Sequence, residues 1–305
     1  MNVNLIDKIM PRTNFKELLD AGVHFGHLKR KWNPAMAPYI FMERNGIHII
    51  DLEKTIVKLD EAASAMKHIA RSGKKVLFVA TKKQAKEIVA ERVKKVNMPY
   101  VTERWPGGML TNFPTIRKAV KKMGSIDKMA VDGTFLNLSK RERLQVTRQR
   151  AKLEKNLGSI VDLTRLPSAL FIVDVTKEHI AVSEAKRLGI PVFAMVDTNS
   201  DPSDIDFPIP ANDDASKSIS LIVDILCQSM EEGLNDRKLE KDKETPKDKK
   251  VMRKELETKD LPHVLIDAIV EEEAEVDVDE EEEDDDSEEI EVDEDIIAEI
   301  DEKEE

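Results

Sequence analysis

The chain has 305 residues and a net charge of −13, and that charge is divided between a basic body and an acidic tail. Residues 1–270 hold 47 Lys and Arg against 37 Asp and Glu, a net charge of +10, whereas residues 271–305 hold 24 acidic residues and one Lys. The basic body indicates a polyanion such as nucleic acid as a partner, which the acidic pI of the whole chain would exclude.

The cellular compartment is indicated by three features of the sequence. The single cysteine, Cys227, excludes an internal disulfide and favours a reducing compartment. No apolar run approaches the roughly 18 residues that a membrane span requires, and the N-terminus lacks the apolar segment of a signal peptide. The sequence therefore predicts a cytoplasmic protein without membrane contact.

Short β-rich runs alternate with amphipathic helices between residues 47 and 228, a pattern typical of an α/β fold. The predicted strands cover 47–50, 76–80, 100–102, 169–173, 190–196 and 207–209. The predicted helices are one over 53–71, one that Thr81 caps, and two over 181–188 and 216–228. We therefore expect a doubly wound, mainly parallel sheet of about five strands.

One segment, 113–160, interrupts this alternation because it is helical throughout. Asp132 and Gly133 mark a turn in its middle, and Ser139 with Glu142 forms a capping box that opens a second helix. The sequence predicts an antiparallel helical hairpin inserted into the α/β domain. This hairpin holds 12 Lys and Arg against four acidic residues, and its net charge of +8 is most of the net positive charge of the body.

A solvated helix face is the alternative explanation for these basic clusters. Such a face normally mixes both signs, because like charges spaced three or four residues apart destabilise a helix. The hairpin does not mix them, and neither do the segments 29–31 and 81–84. Contact with phosphates is therefore favoured. The predicted RNA-binding residues are Lys29, Arg30, Lys31, Lys82, Lys83, Arg104, Arg117, Lys118, Lys121, Lys122, Arg141, Arg143, Arg148 and Arg150.

Two other groups of residues invite a functional interpretation. His24 and His27 resemble a metal pair, but no third or fourth ligand is near them in sequence, so no metal site is predicted. Asp174 and Asp197 follow strands, where doubly wound folds bind nucleotides or Mg²⁺. No motif pairs a nucleophile with a base, so a nucleotide-binding enzyme is the minority alternative, and no cofactor is predicted.

The C-terminal part of the chain differs in composition from the body. Residues 231–260 are mostly charged, and the run EEEEDDDSEE at 280–289 repels itself and has little apolar surface to bury. We expect a folded domain over 1–230 and a disordered acidic tail over 231–305. The apolar clusters 264–270 and 296–300 are candidate partner-binding motifs within the tail.

Seven segments of the body, in order, closely resemble the bacterial small-subunit ribosomal protein S-two family. They are FKELLDAGVHFGHLKRKWNPAMAPYIF (15–41), RNGIHIIDLEKT (44–55), FVATKKQA (78–85), RWPGGMLTNF (104–113), PSALFIVD (167–174), EAKRLGIPVFAMVDTNSDP (184–202) and PIPANDDA (208–215). The resemblance runs from about residue 15 to residue 228. The tail after residue 231 is not part of it.

This resemblance implies a flavodoxin-like α/β domain with a protruding helical hairpin. It also implies a ribosome constituent that has no catalytic activity and no small-molecule substrate. The partners that it implies are small-subunit ribosomal RNA and neighbouring small-subunit proteins, including the large protein S-one, which captures messenger RNA.

Overall fold

The computed structural model of the chain describes residues 12–133, 135 and 138–244. The chain divides into two units, Met1–Glu240 and Lys241–Glu305. The predicted acidic tail and its apolar clusters lie outside the described residues. The division into a domain over 1–230 and a tail over 231–305 therefore stays a prediction.

The described residues form seven α-helices, eight strands and three short 3₁₀ turns. The helices are α1 (Phe15–Asp20), α2 (Leu52–Arg71), α3 (Lys86–Lys95), α4 (Phe113–Val131), α5 (Lys140–Leu157), α6 (His179–Leu188) and α7 (Ser216–Glu244). The strands are β1 (Phe25–Leu28), β2 (Ile40–Arg44), β3 (Ile47–Ile50), β4 (Val76–Val79), β5 (Tyr100–Val101), β6 (Ala169–Ile172), β7 (Val192–Val196) and β8 (Phe207–Pro210). The 3₁₀ turns are Lys29–Lys31, Pro34–Tyr39 and Gly158–Ile160. None of the described helices is long and apolar enough to cross a membrane.

The larger sheet contains five parallel strands in the order β5-β4-β6-β7-β8. The order reverses between β4 and β6, which is the switch point of a flavodoxin-like sheet. Loops that follow the carboxyl ends of β4, β6 and β7 therefore meet at one edge. The prediction of a doubly wound parallel sheet of about five strands is confirmed.

Side chains of the central strands alternate between two apolar layers. Phe78, Phe171 and Phe193 pack with helices α2, α3 and α7 on one face. Leu77 and Leu170 pack on the other face with α6 and with the base of the hairpin. Because both faces are covered, every residue of β4, β6 and β7 is buried. This burial explains why these strands read as continuous apolar runs in the sequence.

The expected first strand, β3, does not join the larger sheet. It is the centre of a small antiparallel sheet with the order β1-β3-β2. Neither β1 nor β2 is among the predicted strands; four of the five residues of β2 are exposed, so no in-out alternation marks it. A Cβ on Gly26 of β1 would lie 2.6 Å from the Thr198 side chain, so only glycine permits this approach to the loop after β7.

Two predicted helix boundaries are wrong. Thr81 does not cap a helix, because α3 begins only at Lys86 and the Thr81 hydroxyl donates to Glu178. The closing helix α7 does not end near residue 228 but continues to Glu244. Its extension packs on the domain: Glu232 pairs with Arg12 at 3.0 Å and with Lys67 at 3.2 Å.

The predicted helical hairpin is confirmed as α4 and α5. Ser139 and Glu142 form the expected capping box at the start of α5. Asp127 of α4 and Arg150 of α5 join the two helices by an ion pair with a separation of 2.5 Å. The apolar contacts concentrate at the base, where Leu157 is buried in the same layer as β4 and β6. The hairpin is thus attached to the domain at one end and exposes its basic side chains beyond it.

Candidate nucleic-acid interface

Eight of the fourteen predicted RNA-binding residues are exposed, and none of the eight forms an ion pair with a described residue. Two lie in the turn Lys29–Lys31, one in each of the loops after β4 and β5, and four on the hairpin. The eight are Arg30, Lys31, Lys83, Arg104, Lys118, Lys121, Arg141 and Arg148. These side chains are free to contact an external polyanion.

Five others are exposed or half-buried, and four of these have partners within the protein. Lys29 pairs with Glu43 at 2.7 Å, and Arg150 bridges Asp127 and Glu154, each at 2.5 Å. Arg143 donates from Nε to a backbone carbonyl at 3.0 Å. Arg117 is the fourth residue with partners, because it donates to two backbone carbonyls. The fifth residue, Lys122, is half-buried.

Lys82 differs from every other residue in the predicted set because it is buried. Its Nζ lies 2.8 Å from Asp213 Oδ1, 2.6 Å from Asp214 Oδ1 and 3.5 Å from Asp174 Oδ2. Burial would lower the pKa of Lys82, but the hydrogen bonds to Asp213 and Asp214 outweigh it and raise that pKa above its ordinary value. The structure therefore places this ammonium inside the fold, away from any phosphate at the surface.

The same edge of the sheet gathers a cluster of acidic residues around His27. His27 Nδ1 lies 3.0 Å from Asp197 Oδ2, and His27 Nε2 lies 3.3 Å from Asp214 Oδ2. Contact with Asp197 raises the pKa of His27 against an opposing effect of burial. Burial and the nearby charges of Asp197 and Asp174 raise the pKa of Asp213 to about 7.

Three members of this cluster could hold a metal ion. His27, Asp197 and Asp213 each offer one ligand atom, and these atoms lie within 4.8 Å of one another. The Oδ2 atoms of Asp197 and Asp213 are buried, and neither has an aligned hydrogen-bond donor among the described residues. One imidazole and two carboxylates form a ligand set that suits zinc.

His24 is not part of this group, although the sequence spaces it three residues from His27. His24 stacks on Phe25 with ring centroids 4.0 Å apart, and burial lowers its pKa. The partners of His27 are Asp197 and Asp214, which lie much later in the sequence. The sequence does not reveal this group, because its members are far apart in the chain and only the fold makes them neighbours.

Asp174 and Asp197 meet at the sheet edge, as their positions after strands predict. Asp174 also accepts hydrogen bonds from the backbone N–H of Thr176 at 3.0 Å and of Lys177 at 3.3 Å, so it shapes its own loop. The Lys82 ammonium lies within 3.5 Å of the carboxylates of Asp174, Asp213 and Asp214. The nucleotide-binding alternative would require a ligand where the protein already supplies its own cation.

Comparison with known proteins identifies the family. The sequence profile of the family described as Ribosomal protein S2 matches residues 18–233. The chain is 75% identical over 232 residues to the small ribosomal subunit protein uS2 of Parabacteroides distasonis, covering 76% of this chain and 84% of that protein. It is 76% identical to the protein of that name from Phocaeicola vulgatus, with 76% and 83% covered. For the uS2 protein of Azobacteroides pseudotrichonymphae the identity is 73%, with 76% and 88% covered. The chain therefore belongs to the Ribosomal protein S2 family, whose members are structural components of the small ribosomal subunit and not enzymes.

Proposed function

We propose that this chain is a structural constituent of the small ribosomal subunit in the cytoplasm, where it binds small-subunit ribosomal RNA and helps to dock protein S-one. Membership in the family supports the ribosomal role. The observation that carries RNA binding is the set of eight exposed basic side chains, half of them on the hairpin. Each one that neutralises a phosphate contributes about one unit to the slope of log K against log salt.

The hairpin supplies the largest part of the proposed RNA surface. Lys118 and Lys121 are exposed on α4, and Arg141 and Arg148 are exposed on α5. The four acidic residues of the hairpin are too few to neutralise its 12 Lys and Arg, and two of them, Asp127 and Glu154, already pair with Arg150. A phosphate backbone is the polyanion that such a projecting basic rod fits.

The decisive experiment is incorporation into small subunits that lack this protein. A variant with Lys118, Lys121, Arg141 and Arg148 changed to Glu should fail to sediment with subunits in a sucrose gradient, while its circular dichroism stays that of the wild type. The control carries the same charge change at four exposed lysines outside the hairpin: Lys16, Lys94, Lys217 and Lys238. Normal incorporation of the hairpin variant would refute the proposed RNA surface.

The same gradient tests a second function, that of a free RNA-binding protein that acts off the ribosome. In that case the wild-type chain would remain at the top of the gradient and still bind RNA in solution.

Docking of S-one has a separate test: subunits reconstituted without this chain should bind less S-one than complete subunits. Equal amounts of S-one on both would refute that part of the proposal.

A further inference from the structure

The loop that begins the hairpin has no regular structure of its own. Residues 102–112 join β5 to α4, and they include Pro106 and Gly108, whose φ of +80° lies in the region that favours glycine. The position of this loop determines where α4 starts and in which direction it runs. Contacts from another part of the protein must therefore fix its path.

The carboxylate of Glu184 on α6 accepts five hydrogen bonds from this loop, whose buried side chains Trp105, Met109 and Leu110 also pack in the apolar layer of β4 and β6. Its Oε1 accepts hydrogen bonds from Trp105 Nε1 at 3.1 Å and from the backbone N–H of Gly108 at 2.9 Å. Its Oε2 accepts from the backbone N–H of Leu110 at 2.9 Å and of Thr111 at 3.1 Å. The hydroxyl of Thr111 adds a fifth donor at 3.2 Å. Both oxygens are thus fully used by one loop.

The charge of Glu184 is compensated by neutral hydrogen-bond donors, four N–H groups and one hydroxyl. The side chain is buried, and no described Lys or Arg forms an ion pair with it. The loop donors lie directly before the N-terminus of α4, where the helix dipole favours a negative charge and Asn112 provides no side-chain cap. Burial would raise the pKa of Glu184, but hydrogen bonds from Thr111 and Leu110 outweigh burial and hold that pKa below its usual range.

The segment that follows α5, also at the base of the hairpin, is fixed by a different contact. Arg117 of α4 donates from one guanidinium nitrogen to the carbonyls of Val161 and Leu163, each at 3.1 Å, just beyond α5. Further along the hairpin the helices are joined by the partly exposed pair of Asp127 and Arg150, a type of contact that contributes little to stability. The orientation of the hairpin therefore depends on its base.

We propose that Glu184 is a positioning residue for RNA binding, because it holds the loop from which the basic hairpin projects. This inference rests on the proposed function, in which the hairpin contacts ribosomal RNA. A hairpin held in one orientation presents its cations without an ordering cost at binding. A hairpin freed at its base would keep the same charges but would meet the RNA in many orientations.

The test compares two isosteric variants of the full chain. Glu184→Gln replaces one acceptor oxygen by an NH₂ group, which turns a donor toward N–H groups that themselves need an acceptor. Glu178→Gln is the matched control: Glu178 is also buried and also accepts from a loop, through Thr81, but it does not touch the hairpin. Only the first variant should affect the orientation of the hairpin.

The orientation is measured by spin-label distances between the hairpin and the domain. Ser125→Cys on α4 and Lys217→Cys on α7 provide two exposed labelling sites. The native Cys227 does not compete, because burial raises its pKa to about 12. Glu184→Gln should broaden the distance distribution and reduce incorporation into small subunits about tenfold, whereas Glu178→Gln should change neither.

An unchanged distance distribution in Glu184→Gln would overturn the inference. A broadened distribution with normal incorporation would also overturn it, since positioning would then not matter for binding. Failure of the proposed function would be recognised by a different result, which is normal incorporation of the variant whose four exposed hairpin cations are changed to Glu. If Glu184→Gln does not fold, Thr111→Val removes the hydroxyl donor and keeps the size of the side chain, and it must show the same broadening in smaller measure.

Discussion

Lys82 and Lys83 are adjacent in the chain, yet they belong to two different electrostatic regions. Lys83 is exposed, like the cations of the hairpin. Lys82 is buried at the edge of the sheet, within 3.5 Å of carboxylates from three aspartates. The hairpin directs its charge outward, and the sheet edge neutralises its charge internally. A run of like charges in a sequence therefore does not reveal which of its members can reach a ligand.

The two regions also respond differently to the loss of one charge. An exposed cation is well solvated, so its removal changes the free energy of unfolding little. A buried cation compensates carboxylates that cannot reach water, so its removal leaves a buried negative charge without a partner. Substitution of a cation at the sheet edge should therefore lower stability more than substitution of a cation on the hairpin. Substitution on the hairpin should weaken RNA binding more than substitution at the sheet edge.

The largest effect is expected for Lys82→Met. Because it leaves Asp213 and Asp174 uncompensated, this variant should lose about 3–5 kcal/mol of unfolding free energy. The control is Lys83→Met, which should stay within about 0.5 kcal/mol of the wild type. Urea unfolding followed by circular dichroism measures both. Equal stability of the two variants would show that the sheet edge does not depend on its internal cation.

The second prediction concerns a metal at the same edge. Zn²⁺ bound by His27, Asp197 and Asp213 should raise the unfolding free energy by about 2.7 kcal/mol when its free concentration is 100 times its Kd. The described residues of the hairpin contain no comparable group, so the effect is expected at the sheet edge.

The sequence offers a matched pair of histidines to test this metal prediction. His27→Gln should abolish the stabilisation by Zn²⁺, and His24→Gln should leave it unchanged, because His24 lies outside the candidate ligand group. Thermal unfolding with and without a chelator measures the difference. Stabilisation of equal size in both variants would place the metal elsewhere.

Much of the fold was predictable because its signals are local. The buried strands β4, β6 and β7 are continuous apolar runs, and the capping box at Ser139 marks the start of α5. The basic character of the hairpin follows from composition alone. The burial of Lys82 and the hold of Glu184 on Leu110, 74 residues away, escaped prediction because they depend on contacts between distant residues. The strand β2 escaped prediction for a different reason: it pairs with its chain neighbour β3, but its exposed residues show no apolar pattern.

A third prediction uses the pH dependence of Glu184, which belongs to neither region but attaches the hairpin to the domain. Because its pKa in the folded protein is lowered, it stabilises the fold above its unfolded pKa of 4.5, and this contribution is lost as the pH falls through the folded pKa. At pH 7, Glu184→Gln should cost about 1–3 kcal/mol, since donors lose their acceptor. The difference from the wild type should shrink below pH 4.5. A difference independent of pH would mean that the carboxylate charge is not what holds the loop.

The smallest effect concerns the acidic residues 271–305, a third set of charges that lies outside the described residues. Tethered to a basic body, this segment reaches an effective concentration near the hairpin of the order of millimolar, so it should compete with nonspecific RNA. A chain that ends at residue 244, which keeps all of α7, should therefore bind nonspecific RNA several-fold more tightly at low salt.

The control that distinguishes competition by a specific sequence from general repulsion is a chain with the tail residues in scrambled order. If the native tail imitates RNA at the hairpin, the scrambled tail should weaken RNA binding less than the native tail does, at equal net charge. Raising the salt should remove the difference between all three chains, because the Debye length falls from about 10 Å at 0.1 M to about 3 Å at 1 M. Equal affinities of the native and truncated chains at low salt would eliminate the competition, and the tail would then act on solubility alone.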